Sequence, residues 1–249
     1  MGGGWEADSL RALKFFLELK RARQGRAVEI DFGCWIGPTV LFAAPYADAV
    51  YAMEPDGGAF REAYHNVQLN PAVAAKTTVQ QLCISDKAGA IKMYGKPGDS
   101  MSTLINDGPA QEKKEGYMSW QVECMTFDAW IAWRKVDPAE IGIIKLDTEG
   151  AEARILVQLE PWLAKHKPTI LLSMHAFLYM DEAVLHEKVK AILYSYKTVL
   201  LSSNALEIDR ASFSVPGWCR LCTLILTDEE LPEQYASWAE ALAKPGDKA

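Results

Sequence analysis

From Ala27 to His175 the chain alternates short apolar runs with segments of helical period. The runs "AVEIDFG", "AVYAMEP", "TTVQQLCIS", "IGIIKLD" and "PTILLSMH" have the content of buried strands. Between them, "PTVLFAAPYA", "AFREAYHNVQLN" and the segment from about Gly150 read as helices. Strands that alternate with helices in this way build a parallel sheet covered on both faces. With 249 residues, 49% of them hydrophobic, the chain can bury one sizeable core. The expectation is a single α/β domain over residues 1–249, with an N-terminal helix at 8–24, a core at 27–227 and a C-terminal helix at 231–244.

The pattern predicts seven main strands. The last two, "KTVLLSS" and "WCRLCTLILT", are joined by a connection without a helix. Since a crossover to a parallel neighbour usually needs one, the final strand is expected to insert antiparallel. The first helix, "ADSLRALKFFLELKRARQG", is expected to be capped by Asp8 or Ser9 and closed by Gly25. Between Lys87 and Asp128 the rhythm changes. Two short strands, "AIKMYG" and "WQVECMTF", flank the polar stretch Lys96–Gly116. A stretch this long is usually functional or mobile, and it is expected to act as a lid that selects the acceptor. The next helix, "TFDAWIAWRK", is expected to have Thr126 at its cap.

Charge and composition narrow the partner classes. A net charge of −7 and a pI of about 5.2 give no basic field for nucleic acid, so a small or neutral partner is expected. No window approaches the roughly 18 consecutive apolar residues of a membrane span. The start "MGGGWEADSL" lacks the order of a signal peptide, and Ala7 stands where a myristoylation signal wants Ser or Thr. The five cysteines are an odd, mostly scattered set, which suits reduced thiols and a cytoplasmic place. Cys219 and Cys222 form the one CxxC, within a strand pattern that points them to opposite faces, so they read as strand thiols. There is no HxxxH, and no metal site is assigned, although Asp147 and Glu149 together can hold Mg²⁺.

Three strand ends carry chemistry. "VEIDFGCWIG" places Asp31 two residues before Gly33 and Gly37 four after it. Gly33 permits a sharp turn and close approach of a ligand to the backbone. The spacing is GxxxG rather than GxGxxG, and Trp35 stands at the second glycine of the dinucleotide fingerprint, which argues against NAD. Glu54, followed by Pro55, ends the second strand beside the same crevice, where a carboxylate accepts ribose hydroxyls. "IIKLDTEGAEARIL" sets Asp147 at the end of the fourth strand and Glu149 and Glu152 at a helix start. Lys145 shares a face with Asp147 and can balance it. Glu149 and Glu152 can serve the helix dipole, or Asp147 and Glu149 can face a reacting centre, hold a cation and take a hydroxyl proton.

These segments, with "CISDKAG" and "SMSTL" in order between them, resemble the FkbM family of S-adenosylmethionine-dependent methyltransferases over Val28–His175. The family pattern is Asp-x-Gly-Ala-Asn-x-Gly, Glu-Pro, Asn-x-x-x-Asn and Lys-x-Asp-x-Glu-Gly-x-Glu. The resemblance implies a Rossmann-like class I methyltransferase sheet, mostly parallel with the last strand antiparallel and helices on both faces. Its implied cofactor is S-adenosylmethionine. Asp31, Gly33, Cys34, Trp35 and Gly37 would form the methionine-side loop, Glu54 and Pro55 the ribose contact, and Cys83, Ile84 and Ser85 the adenine edge. Asp147 and Glu149 would line the transfer site, with His175 a candidate base. Cys34 and Trp35 replace the family's Ala-Asn, and Ser173 replaces the acid of its Glu-x-His. The implied activity is O-methylation of a small-molecule or sugar hydroxyl. A non-catalytic binding module and an NAD(P)-linked oxidoreductase stand as alternatives.

Overall fold

A seven-stranded sheet carries the domain. In the computed structural model the described residues are 6–104, 116–175, 183–203, 207–208 and 222–231. The main sheet comprises β1 (Val28–Phe32), β2 (Ala49–Met53), β3 (Thr77–Gln80), β7 (Ile141–Leu146), β8 (Thr169–Met174), β9 (Thr198–Leu201) and β10 (Cys222–Thr227). Their order across the sheet is β3-β2-β1-β7-β8-β10-β9. The pairs among the first five are parallel, and β10 runs antiparallel to both β8 and β9. The final strand therefore inserts as its helix-free connection requires. The expected seven-stranded sheet, mostly parallel with the last strand antiparallel, is the one observed.

Every residue of β1 and β7 is buried, which is why these central strands read as continuous apolar runs. On one face, Ile30, Phe32, Ile144 and Leu146 pack with Phe127 and Trp130 of α5 (Phe127–Arg134) and with α6 (Glu152–His166). On the other, Val50, Ala52 and Ile143 meet Leu13, Phe16 and Leu17 of α1 (Ala7–Gln24) and Val40 of α2 (Pro38–Ala43). Burying each of these larger side chains contributes about 1.5–3 kcal/mol. The second strand is followed by α3 (Gly57–Gln68), whose cap Asp56 accepts from the N–H groups of Gly58 and Ala59, and by the short α4 (Pro71–Ala74). The last helix among the described residues, α7 (Ala183–Ser195), packs against α6.

Four expectations are corrected or refined here. The cap of α1 is Glu6, in the left-handed region at φ 45° and without a side-chain cap bond, rather than Asp8 or Ser9. Thr126 does sit at the cap of α5, but its side chain makes no cap bond. The run "TTVQQLCIS" is not one strand: β3 stops at Gln80, and β4 (Cys83–Ile84) joins a second, three-stranded sheet with β5 (Gly89–Gly95) and β6 (Met118–Met125), in the order β4-β6-β5. Parallel pairing sets Cys83 opposite Cys124, with Cα atoms 4.3 Å apart, and the two are joined by a disulfide. Cys222 is also disulfide-bonded, and Cys34 is the free cysteine among the described residues. The reading of all five as reduced thiols is thus overturned, and the cysteine argument for a cytoplasmic place falls with it. Cys219 and nearly all of the C-terminal helix expected at 231–244 lie outside the described residues, as does the middle of Lys96–Gly116, residues 105–115. No helix among the described residues is long and apolar enough to cross a membrane.

Candidate functional site

The carboxyl ends of β1, β2 and β7 meet at one crevice, as they must when parallel neighbours are in register. Asp31 pairs with Ala52 on one side and Lys145 on the other. After β1 the chain turns at Gly33, with φ 80°. Its N–H and that of Cys34 both donate to the Met53 carbonyl, at 3.0 and 3.2 Å. A Cβ at Gly33 would stand 1.9 Å from the Asp147 carbonyl oxygen, so only glycine fits. Gly37, at φ 88°, closes the loop ahead of α2.

Glu54 directly follows β2 and is 6% exposed. Its two oxygens accept from the backbone N–H groups of Trp35 and Asp56, at 2.9 and 2.8 Å. Burial lifts its carboxyl to about 7, against those two hydrogen bonds and the Lys145 charge, which lower it. Trp35 holds φ 48°, a left-handed conformation unusual for a bulky residue. Its indole N–H donates to the Gly98 carbonyl at 3.1 Å, and the Gly98 N–H donates to Asp56 at 2.9 Å. The described part of the Lys96–Gly116 stretch is thereby tied to the first-strand loop. It walls a cavity with Asp99, Ser100 and Ser102, facing Gly33, Glu54 and Pro55.

The acids after β7 divide into two roles. Lys145, 3% exposed, lies 3.2 Å from Asp31 and 3.5 Å from Asp147 and donates to the Gly33 carbonyl. Burial disfavours its charge, but Asp31 and Asp147 outweigh burial and hold its ammonium well above the usual range. Glu152 is fully buried and accepts from the N–H groups of Thr148 and Gly150 and from His175 Nδ1 at 3.0 Å. It is the internal anchor of the Asp147–Gly150 turn as well as a charge at the start of α6. In that turn Glu149 takes φ 51°, and its carbonyl accepts a short hydrogen bond from the Thr103 hydroxyl. The Glu149 carboxylate faces His175 Nε2 at 3.4 Å. Burial pushes the Glu149 carboxyl up; His175 opposes this and the neighbouring Asp147 and Glu152 add to it, leaving it at about 7. For His175, burial favours the neutral ring, but the Glu152 hydrogen bond and the charges of Glu152, Glu149 and Asp147 prevail and raise it to about 9.

The structure brings together most of the residues expected from the sequence. Gly33, Trp35, Glu54, Pro55, Asp147 and Glu149 line one cavity, and Cys34 lines the adjoining one with Lys145. A third cavity, on the far side of Asp147 and Glu149, takes in Ser173 and His175. Asp31 departs from expectation: it is fully buried behind the loop, held by Lys145 and the Thr39 hydroxyl, and lines none of the three. Gly37 lines none of them either. Cys83, Ile84 and Ser85 are buried where β4 joins the smaller sheet, and they too line none of these cavities. Met93 of β5 and Leu104 stand on the cavity wall instead.

Sequence reasoning missed Glu6, which reaches both outer cavities from the start of α1, and Thr223 of β10. Neither is marked by a motif. It also assigned Glu152 to the helix dipole alone; its place in Lys-x-Asp-x-Glu-Gly-x-Glu was the available signal.

Among solved structures, methyltransferase FkbM from Methylobacillus flagellatus KT superposes with a TM-score of 0.48 at 17% identity, over 80% of this chain and 42% of that one. The bifunctional kinase-methyltransferase WbdD gives 0.48 at 12% identity, over 92% and 41%. An rRNA methylase from Streptococcus thermophilus gives 0.48 at 7%, over 92% and 100%. The chain spans about two fifths of the length of the first two. No curated protein matches the sequence. The family described as Methyltransferase FkbM domain matches residues 36–200, well over half of the chain. That match covers Glu54-Pro55 and the Asp147–Glu152 turn around which the cavities are built, and the chain belongs to the FkbM methyltransferase domain family.

Proposed function

We propose that this protein is an S-adenosylmethionine-dependent O-methyltransferase acting on a hydroxyl of a small molecule or sugar. The observation that carries the reading is that Glu54 and the Asp147–Glu149 pair face one cavity across the glycine turn at Gly33. Bound S-adenosylmethionine supplies an activated methyl group on a sulfonium cation. The donor set fits such a ligand. Glu54 has both oxygens engaged by backbone N–H groups, but a carboxylate offers about four lone-pair sites, so two remain for ribose hydroxyls. The absence of a Cβ at Gly33 lets a ligand lie against the backbone. Asp147 and Glu149 present negative charge where a sulfonium needs it.

On the acceptor side, Glu149 is the residue placed to accept a hydroxyl proton. Its carboxyl sits near 7, so at neutral pH a good fraction is ready to act as base. His175 takes a different part from the base expected of it. With its ring raised to about 9 it is protonated at neutral pH, and it orients Glu149 while anchored on Glu152. Holding the acceptor in line supplies most of the acceleration, up to ~7–11 kcal/mol in well-oriented models. The base adds about 10²–10⁴-fold.

Calorimetric titration with S-adenosylhomocysteine, with NAD as control, tests the reading. Micromolar binding of the first alone is expected, and Glu54→Ala should weaken it by about 1.5–3 kcal/mol. Binding of NAD instead would move the protein to the oxidoreductases. Tight cofactor binding with no methyl transfer to any hydroxyl acceptor would favour a binding module, to which Trp35 and Ser173 already point as departures from the family pattern.

A further inference from the structure

We propose that Trp35 latches a strap, residues 95–102, shut over the cofactor cavity, so that a ligand enters only when the indole lets go. The strap is rooted at both ends. Tyr94 and Thr103 exchange two backbone hydrogen bonds, at 2.7 and 2.8 Å, and the Thr103 hydroxyl donates to the Glu149 carbonyl. The chain leaves that base at Gly95, φ 147°, where a Cβ would stand 2.9 Å from the Ser102 Cα. Within the strap, the Asp99 N–H and the Ser102 hydroxyl both donate to the Lys96 carbonyl, which makes the tip a stiff unit. The tip is tied down through Gly98. Its carbonyl accepts from the Trp35 indole at 3.1 Å, and its N–H donates to Asp56 at 2.9 Å. The same Asp56 oxygen caps α3, so Asp56 stays in place whether the tip is up or down.

Two further observations point to a latch. Trp35 holds its contact from a left-handed backbone, φ 48°, which is uncommon for a bulky residue and which the asparagine of the family pattern adopts far more readily. An outlier of this kind on a cavity wall marks a functional constraint. The second is space. With the strap down, the cavity between it and Glu54 holds about 60 Å³ and the adjoining one about 190 Å³. Pockets that enclose a ligand of cofactor size run to about 300–1,000 Å³. Trp35 and Ser100 of the strap line both cavities, so raising the tip opens the two together.

The identity of the ligand rests on the S-adenosylmethionine reading, whereas the latch is measured without one. Amide hydrogen exchange of the ligand-free full chain is followed by mass spectrometry in peptides covering residues 96–104, for the unsubstituted protein, Trp35→Phe and Gly98→Ala. Phenylalanine keeps a ring and loses the N–H. Alanine at Gly98, φ 85°, strains the tip from the strap's own side. Each should speed exchange of the strap peptides about two- to tenfold, the range that one lost hydrogen bond gives, and leave peptides of β1 and β7 unchanged. The double variant should barely exceed the faster single one, because both changes break the same latch. By surface plasmon resonance, S-adenosylhomocysteine should associate faster by a similar factor, since more of the chain is open. If Trp35→Phe fails to fold, Gly98→Ala decides the point. Unchanged strap exchange, or faster exchange that extends to β1 and β7, would overturn the latch, as would faster strap exchange with unchanged association. Faster strap exchange in a chain that binds no S-adenosylhomocysteine would reject the cofactor and leave the latch standing.

Discussion

At the scale of single residues, the site is held by groups that would be costly anywhere else. Gly33 is the sharpest case. An alanine there must adopt φ 80° and place its Cβ 1.9 Å from a backbone oxygen. Left-handed backbone costs about 1–2 kcal/mol and overpacking a further 1–3. Gly33→Ala should therefore lower stability by about 2–5 kcal/mol, measured by denaturant unfolding; a neutral result would mean that the turn is free to rearrange. The titrating groups make a second prediction. Glu54 and Glu149 rise from 4.5 to about 7, and His175 from 6.5 to about 9. In each the folded state holds its proton more tightly than the unfolded state. Their stabilising contribution is thus complete below the unfolded value and is lost as pH rises through the folded one. The melting temperature should fall between about pH 5 and 9 through these groups. His175→Gln should flatten the part of that decline above neutrality, and an unchanged slope would show that His175 is not perturbed in solution.

At the scale of elements, the smaller sheet sets one wall of the site. Met93 and Leu104 line the cavity and pack against Cys83 and Cys124, which join β4 to β6. The disulfide closes a loop of 41 residues, for which loop-closure entropy gives a stabilisation of up to about 4 kcal/mol. Replacing both cysteines by serine should lower stability by about 2–4 kcal/mol and weaken cofactor binding, since the wall loosens. Peptide mapping after alkylation without reductant should recover Cys83 and Cys124 as a linked pair, while recovery as two alkylated peptides would refute the bond. This element was only half legible in the sequence. "TTVQQLCIS" has strand composition throughout, but composition does not say which partner a strand takes. Val79 pairs within the main sheet and Cys83 within the smaller one.

For the whole molecule, the strand order places two acidic strand ends, Glu54 and Asp147, around one opening while the core is packed on both faces of the sheet. A ligand in that opening binds only the folded state. S-adenosylhomocysteine at a hundred times its dissociation constant should stabilise the fold by about 2.7 kcal/mol. For a chain of this size that raises the melting temperature by about 5–10 °C. No shift at saturating ligand would argue against the cofactor.

Much of this was readable in the residues, because strand ends announce themselves. A buried apolar run that stops at Glu54 or Asp147 puts a carboxylate at the sheet's carboxyl edge whatever the rest of the chain does, and the helix-free connection before β10 left an antiparallel strand as the natural solution. Gly33 was legible for a related reason: a glycine directly after a buried strand and before a helix marks a turn that a side chain would obstruct. The sequence by itself thus determined the parallel sheet, its one reversed strand and the main acids of the crevice. Only the tertiary structure decided what those acids do. Asp31 and Glu152 look no different in sequence from Glu54 and Glu149, yet the first two are buried anchors and the second pair faces a cavity. Glu6 and His175, 169 positions apart, share a cavity that no local pattern encodes. The physical reason is that period and composition report burial of apolar surface, which is local and additive. The role of a carboxylate depends on which donors and charges fold back onto it from elsewhere in the chain.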